Sequence, residues 1–233
     1  MHGTIHDMAQ HYDRAARPAV IPMVAPDALD LLEQCGTTIA VERDQEIHGQ
    51  GVGAEYCYRI LSGCVRTVTL MEDGRRQVGE FLLAGDLLGF ETLGHYDCAA
   101  EAVSDVVLRR YRRRNVDVLA ERNPAVARRL RDMISASLRT AHTRLLLLGR
   151  KTATERIASF LLEMAERLPS LRPHVLDLPM SRTDMADHLG LTIETVCRML
   201  ALLRRDGTIA IERATITIRD IAALRQMASG PRH

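Results

Sequence analysis

Between residues 37 and 83 the apolar residues fall in short, β-branched runs rather than helical stripes. "TTIAVE" (37–42), "EYCYRIL" (55–61), "CVRTVTLM" (64–71) and "QVGEFLL" (77–83) predict strands. "HGQGVG" (48–53), "SG" (62–63), "EDG" (72–74) and "AGD" (84–86) predict the turns between them. A polar leader and a helical turn or two over Asp27–Gln34 precede this region, and a further strand pair is expected over Glu101–Tyr111. Short strands at such close, regular spacing predict an antiparallel barrel or roll.

The period then changes. Asn123-Pro124 reads as an N-cap followed by proline at the first helical position. Leu130, Ile134, Leu138, Ala141, Leu145 and Leu148 follow at steps of four and three, one apolar stripe along a helix of about 25 residues. Such a helix either lies on the barrel or pairs with its copy in a second subunit, coiled-coil fashion. Gly149 closes the stripe, and Thr152-x-x-Glu155 resembles a capping box opening another amphipathic helix through Leu168. "LPSLRPHVLDLP" (168–179) holds three prolines and is expected to be a loop or an edge strand.

A second capping-box pattern, Ser181-x-x-Asp184, starts "TDMADHLG", with Met185, Ala186 and Leu189 on one face and Gly190 placed for a left-handed turn. Thr192 can cap the next helix, whose Val196, Met199, Leu200 and Leu203 point inward. Ala186 four before the glycine allows a close crossing, and Val196 six after it plugs the joint. A tight glycine turn between two such helices predicts a helix-turn-helix. Past Asp206-Gly207, the runs Thr208–Ile211 and Thr215–Ile218, joined by a turn at Glu212–Ala214, predict a hairpin wing.

Recognition helices read base edges with their N-terminal residues, here Ile193, Glu194, Cys197 and Arg198. Arg198 can fork onto guanine O6 and N7, and Glu194 can accept from cytosine N4. The same pair, four residues apart, can instead form an ion pair on a solvated face. Ser181, Arg182, Thr192 and Thr195 are candidate phosphate contacts.

Composition adds limits. The 233 residues are 46% apolar with a net charge of +1, so any nucleic-acid affinity must come from a local surface. No apolar run approaches the roughly 18 residues of a membrane span, and the first twenty residues lack a signal-peptide core, so a cytoplasmic protein is expected. Five scattered cysteines, without a C-x-x-C pair, argue against a disulfide scaffold or zinc ribbon. A roll also invites comparison with cupin-like metalloenzymes. Only His48 and His95 fall in the strand region, with no His-x-His, and a surface histidine is the expected account of each. With no triad, phosphate loop or metal-ligand spacing, no enzyme is expected. The arginine run "LRRYRRRN" (108–115) reads as a solvated strand end.

This layout resembles the CRP/FNR family of bacterial transcription regulators over nearly the full chain. "LPMSRTDMADHLGLTIETVCRMLALLRRDGTI" (178–209) carries the likeness most specifically, and "GDLLGF" (85–90) resembles a "GDLxGF" segment of the FNR and FixK branches. The resemblance implies an α+β chain with three parts. A jelly-roll-like β-roll of the cyclic-nucleotide-binding type covers 1–122, a dimerisation helix 123–149 and a winged helix-turn-helix 150–233. In the family an E-x-x-S-R pattern reads TTGA-type half-sites of a palindrome; Glu194 and Arg198 match it, and Cys197 replaces the serine. The tip Asp73-Gly74-Arg75 lies where FNR-like activators touch RNA polymerase.

Two absences narrow the branch. No cysteine precedes Cys35, and Val107 stands at the late cluster position, so no iron–sulfur cluster is expected. From Gly85 to Cys98 there is no arginine or lysine to counter a cyclic phosphate, so no cyclic nucleotide is expected either. Both point to a FixK-like homodimeric activator of microaerobic, nitrogen-fixation or denitrification-type genes. A regulator answering to a small effector in the roll is the alternative. Cys197 is either a small side chain that fits or a redox brake. An arginine and a helix N-terminus favour the reactive thiolate, and oxidation to a sulfinic acid would set negative charge beside DNA.

Overall fold

The computed structural model describes residues 28–90, 94–168, 172–213 and 215–230. The leader, Asp27 and Ala214 of the wing turn lie outside the described residues, as does the 169–171 part of the proline-rich segment.

Helix α1 (Ala28–Glu33) leads into β1 (Thr37–Val41), β2 (Glu46–His48), β3 (Tyr56–Ser62), β4 (Val65–Leu70) and β5 (Arg76–Leu82). Strands β6 (Leu87–Leu88), β7 (Ala99–Ala102) and β8 (Val106–Arg112) complete a roll of two antiparallel sheets, ordered β1-β8-β3-β6 and β2-β7-β4-β5. Alternation builds much of it: Val106 and Leu108 of β8 and Val65 of β4 turn into the space between the sheets, while Val68, past a bulge in β4, packs with Val78 and Phe81 in a separate core. The "SG" turn needs its glycine. Gly63 has φ +89°, and a Cβ there would stand 2.3 Å from the Asp105 carbonyl oxygen. The space between the sheets is packed by Ile60, Leu88 and Leu108 with the rings of Tyr58 and Tyr96.

Helices follow: α2 (Arg113–Arg122), α3 (Pro124–Arg150) and α4 (Ala153–Arg167). Asn123 caps α3 as its sequence predicts, its side chain accepting from the amides of Ala125 and Val126. Thr152 and Glu155 form the reciprocal capping box of α4. Strand β9 (Val175–Asp177) precedes α5 (Arg182–Leu189) and α6 (Ile193–Arg205); β10 (Ile209–Glu212), β11 (Thr215–Ile218) and α7 (Ile221–Ser229) end the described chain. The small sheet runs β10-β11-β9, so the proline-rich segment does supply an edge strand to the wing.

Several expectations need correction. The segment read as a turn at 48–53 begins inside β2. Gly149 does not end its helix, which runs on to Arg150, with Lys151 as C-cap. The arginine run is a strand end only to Arg112; from Arg113 it is the first turn of α2. Arg113 is anchored, donating to the carbonyls of Ala54 (2.8 Å) and Gly89. That helix start had no signal to read, because Arg112 at the N-cap makes no side-chain cap bond. Helix α7 was missed, although Asp220 caps it through the Ala223 amide. His95 is exposed as expected, but His48 is not a surface residue. It is 8% exposed and stacks on Tyr96 with ring centroids 3.6 Å apart. Among the described residues no group of three or more His, Cys, Asp or Glu could hold a metal ion.

Burial also sets an acid limit. His48 is pushed down to about 4 by burial, and His188 to about 3 by burial and by Arg144. The folded chain keeps both neutral, whereas the unfolded chain binds their protons from about pH 6.5 downward. Stability is therefore full above that value and falls as pH drops toward 4, by up to about 1.4 kcal/mol per unit for each imidazole. Chemical denaturation at several pH values checks this. His48→Phe should flatten the slope, and an unchanged slope would contradict the assignment.

Candidate nucleic-acid interface

The site begins with local bonds. The Ser181 hydroxyl accepts from the Asp184 amide (3.0 Å), and Asp184 accepts from the Ser181 amide (3.1 Å), fixing where α5 starts. Gly190 ends it at φ 61°, ψ 44°, the left-handed conformation its position predicts. Thr192 opens α6, accepting from the Thr195 amide at 3.2 Å. Ala186, Leu189, Val196 and Leu200 are all buried at the joint, as the spacing requires of a helix-turn-helix.

Burying that face of α6 leaves Ile193, Glu194, Cys197 and Arg198 exposed together, Ile193 by 42%. Glu194 and Arg198 do not pair with one another. The Glu194 carboxylate folds back to the start of α6, where its own backbone N–H and the Thr192 hydroxyl hold it below the usual carboxylate range. Arg198 has no ion-pair partner among the described residues. The outward edge of α6 thus offers an acceptor at its first turn and a free guanidinium one turn on.

The candidate phosphate residues divide. Thr192 and Thr195 share a hydroxyl–hydroxyl hydrogen bond (3.0 Å) at the tip of α6. The Ser181 hydroxyl is engaged within its helix cap, donating to Asp184 at 2.8 Å. Arg182 is half-buried, its Nη1 3.3 Å from the Met185 sulfur, and burial lowers its pKa against the opposing influence of nearby Cys197. A partly desolvated guanidinium beside the exposed row suits a phosphate oxygen.

Two other surfaces bear on function. On α3, Ile134, Leu138, Ala141 and Leu145 are exposed, Leu138 by 63% and Leu145 by 69%. The ends of the stripe are used within the chain. Leu130 packs near Leu32 and Val126, and Leu148 lies 3.5 Å from where a Gly190 Cβ would stand. At the hairpin tip Arg75 pairs with Asp73 (2.7 Å) and Gly74 adopts φ 82°, so Asp73-Gly74-Arg75 is an ordered, exposed turn.

One group was not visible in the sequence: Arg66 and Arg76 of the roll pair with Asp184 of α5 at 3.1 and 2.9 Å. Burial would raise the Asp184 pKa, but the Ser181 bonds and the two arginines hold it below its ordinary value.

Residues 155–227 match a Crp-like helix-turn-helix domain and residues 38–123 a cyclic nucleotide-binding domain. The chain is 42% identical to the nitrogen fixation regulation protein FixK of Azorhizobium caulinodans over 221 residues, 93% of this chain and 85% of that one. It is 34% identical to the transcriptional activator protein FnrL of Cereibacter sphaeroides, across 90% of this chain and 88% of that one. The structure of FixK2 from Bradyrhizobium japonicum superposes with a TM-score of 0.81 at 40% identity, covering 84% of this chain and 99% of that one.

Proposed function

Because the chain belongs to the CRP/FNR family of transcription regulators, with FixK proteins among its relatives, we propose that it is a FixK-like activator working as a homodimer. Two α6 helices related by a two-fold axis enter successive major grooves of an FNR/FixK-type palindrome about 34 Å apart. Arg198, Glu194, Ile193 and Cys197 face base edges, and Arg182, Thr192 and Thr195 face the phosphates. Ser181 serves there through its cap. The genes are of the microaerobic, nitrogen-fixation or denitrification type, in keeping with the name of the Azorhizobium relative. The exposed hairpin tip Asp73–Arg75 is the RNA polymerase contact. No helix of the described residues is long and apolar enough to cross a membrane, and a protein that binds DNA in this way works in the cytoplasm.

The exposed row Ile193–Glu194–Cys197–Arg198 on the second helix of the motif carries this reading. Selection of bound sequences from a random DNA pool tests it. An enriched palindrome is expected, and a pool without enrichment would sink it.

Cyclic nucleotide has no part in the proposal, because the residues present do not fit one. The roll interior is filled by its own side chains, with Tyr58 and Tyr96 buried in it. Asp86, in the segment that would cradle a phosphate, has its carboxylate turned to the Leu83 amide (2.8 Å) and the Arg167 guanidinium (2.5 Å). That carboxylate is already paired within the chain, and the segment from Gly85 to Cys98 brings no arginine or lysine to a phosphate. A metal centre and an iron–sulfur cluster are likewise absent from the proposal. As a member of a family of transcription regulators, the chain acts in this reading by binding DNA.

Oxidation is the regulatory step we assign to Cys197, which is exposed within the row. Two equivalents of peroxide convert the thiol to a sulfinate, adding a negative charge facing DNA. Peroxide is expected to cut wild-type affinity roughly tenfold or more, about one added unit of repulsion in a dry contact, and to spare Cys197→Ser. Equal loss in both proteins would dispose of the switch.

A further inference from the structure

Helix α5 is pinned at both ends by other parts of the chain. At its start Asp184, 3% exposed, accepts from Arg66 of β4 and from Arg76 of β5. Arg76 also reaches Asp187 one turn on, at 2.8 Å, and the Gln77 side-chain amide donates to the Asp187 carbonyl. At its end the guanidinium of Arg144, from α3, donates to the His188 carbonyl (2.6 Å) and to the Val78 carbonyl of β5 (2.8 Å). The same group lies 2.8 and 3.2 Å from the two nitrogens of the His188 ring. Whichever tautomer the neutral ring adopts, one nitrogen can accept from the cation. Arg156 of α4 adds a strap from Leu189 (2.8 Å) to the Leu148 carbonyl near the end of α3 (2.8 Å).

These bonds are not needed to form α5, which carries its own cap and glycine stop. They decide its orientation. A helix held at one point can swivel about it. A helix held at both ends by the roll and by α3 cannot. Since α6 crosses α5 through the tight Ala186–Gly190 joint, fixing α5 also fixes the exposed row of α6.

We propose that Arg144, with the Arg66–Arg76–Asp184–Asp187 cluster, is a positioning clamp that sets the angle of the recognition helix relative to α3. The clamp rests on the DNA-binding dimer reading, and its role is geometric: none of its members reads a base. Its signature is selectivity for half-site spacing, because two swivelling heads tolerate a spacing that two fixed heads reject.

The test uses full-length wild type, Arg144→Met and Arg76→Ala, the second being the milder change on a partly exposed side chain. Each is titrated with palindromes of the selected spacing and of spacings two base pairs longer and shorter. Sedimentation and amide hydrogen exchange are run without DNA. Wild type is expected to prefer one spacing about tenfold or more, and both variants to shrink that preference to within about threefold while remaining dimers. Amides of α5 and of β4–β5 should exchange about tenfold faster in the variants, with α4 and α7 unchanged. An unchanged spacing preference overturns the clamp, as does faster exchange spread evenly through α4 and α7, which would mark a general loss of stability. If wild type binds no palindrome, the dimer reading fails first. The clamp is then judged on exchange alone, and unaltered protection of α5 overturns it.

Discussion

Alanine at Arg198 or at Glu194 is expected to cost about 1–3 kcal/mol of discrimination at the base each residue reads, roughly a 5- to 150-fold relaxation at one position. The two substitutions should differ in a second respect. Arg198 has no ion-pair partner among the described residues, so its loss should leave the melting temperature unchanged. Glu194 sits in the first turn of α6 with its carboxylate against the Thr192 hydroxyl. Removing it also removes an anion from the positive end of a helix, so the melting temperature should fall slightly. Titrations against operators altered one base at a time, alongside melting curves, separate these effects. Unchanged affinity and preference in both variants would remove α6 from the role of reader.

Glutamate at Leu138 and Leu145 is expected to convert the dimer to monomers that fail to hold a palindrome. Each leucine is more exposed than buried in the single chain, and covering such a side chain contributes roughly 1.5–3 kcal/mol. In a parallel pair the two-fold sets each new carboxylate near its own copy, so lost burial and like-charge repulsion act together. Analytical ultracentrifugation reads the outcome directly. Dimers that survive both substitutions would show that the stripe is not the seam. Substitution at Leu130 or Leu148 should be read differently, because those residues already pack within their own chain.

What the sequence disclosed follows the distance over which each interaction acts. Ser181 meets Asp184, Thr152 meets Glu155, and Gly190 turns the chain, all within one helical turn, so the helix-turn-helix and the helix before it were legible from residue order. The strands of the roll were legible because inward and outward residues alternate. Arg66 and Asp184 stand 118 positions apart, and nothing in either neighbourhood announces the other. Arg144 was invisible for the same reason: within α3 it is one more cation among several. His48 was misjudged because a lone imidazole looks alike in sequence whether it stacks on a tyrosine or meets water. Helix α2 escaped because its start lacks a capping side chain.

In the proposed dimer, the exposed apolar stripe on α3 has a consequence for dosage. Subunits that must meet before they can grip an operator give an occupancy that, below the association threshold, scales with the square of their number. Halving the pool then quarters the signal. A modest change in synthesis or turnover would move a promoter much further than it moves the protein, without any effector inside the roll.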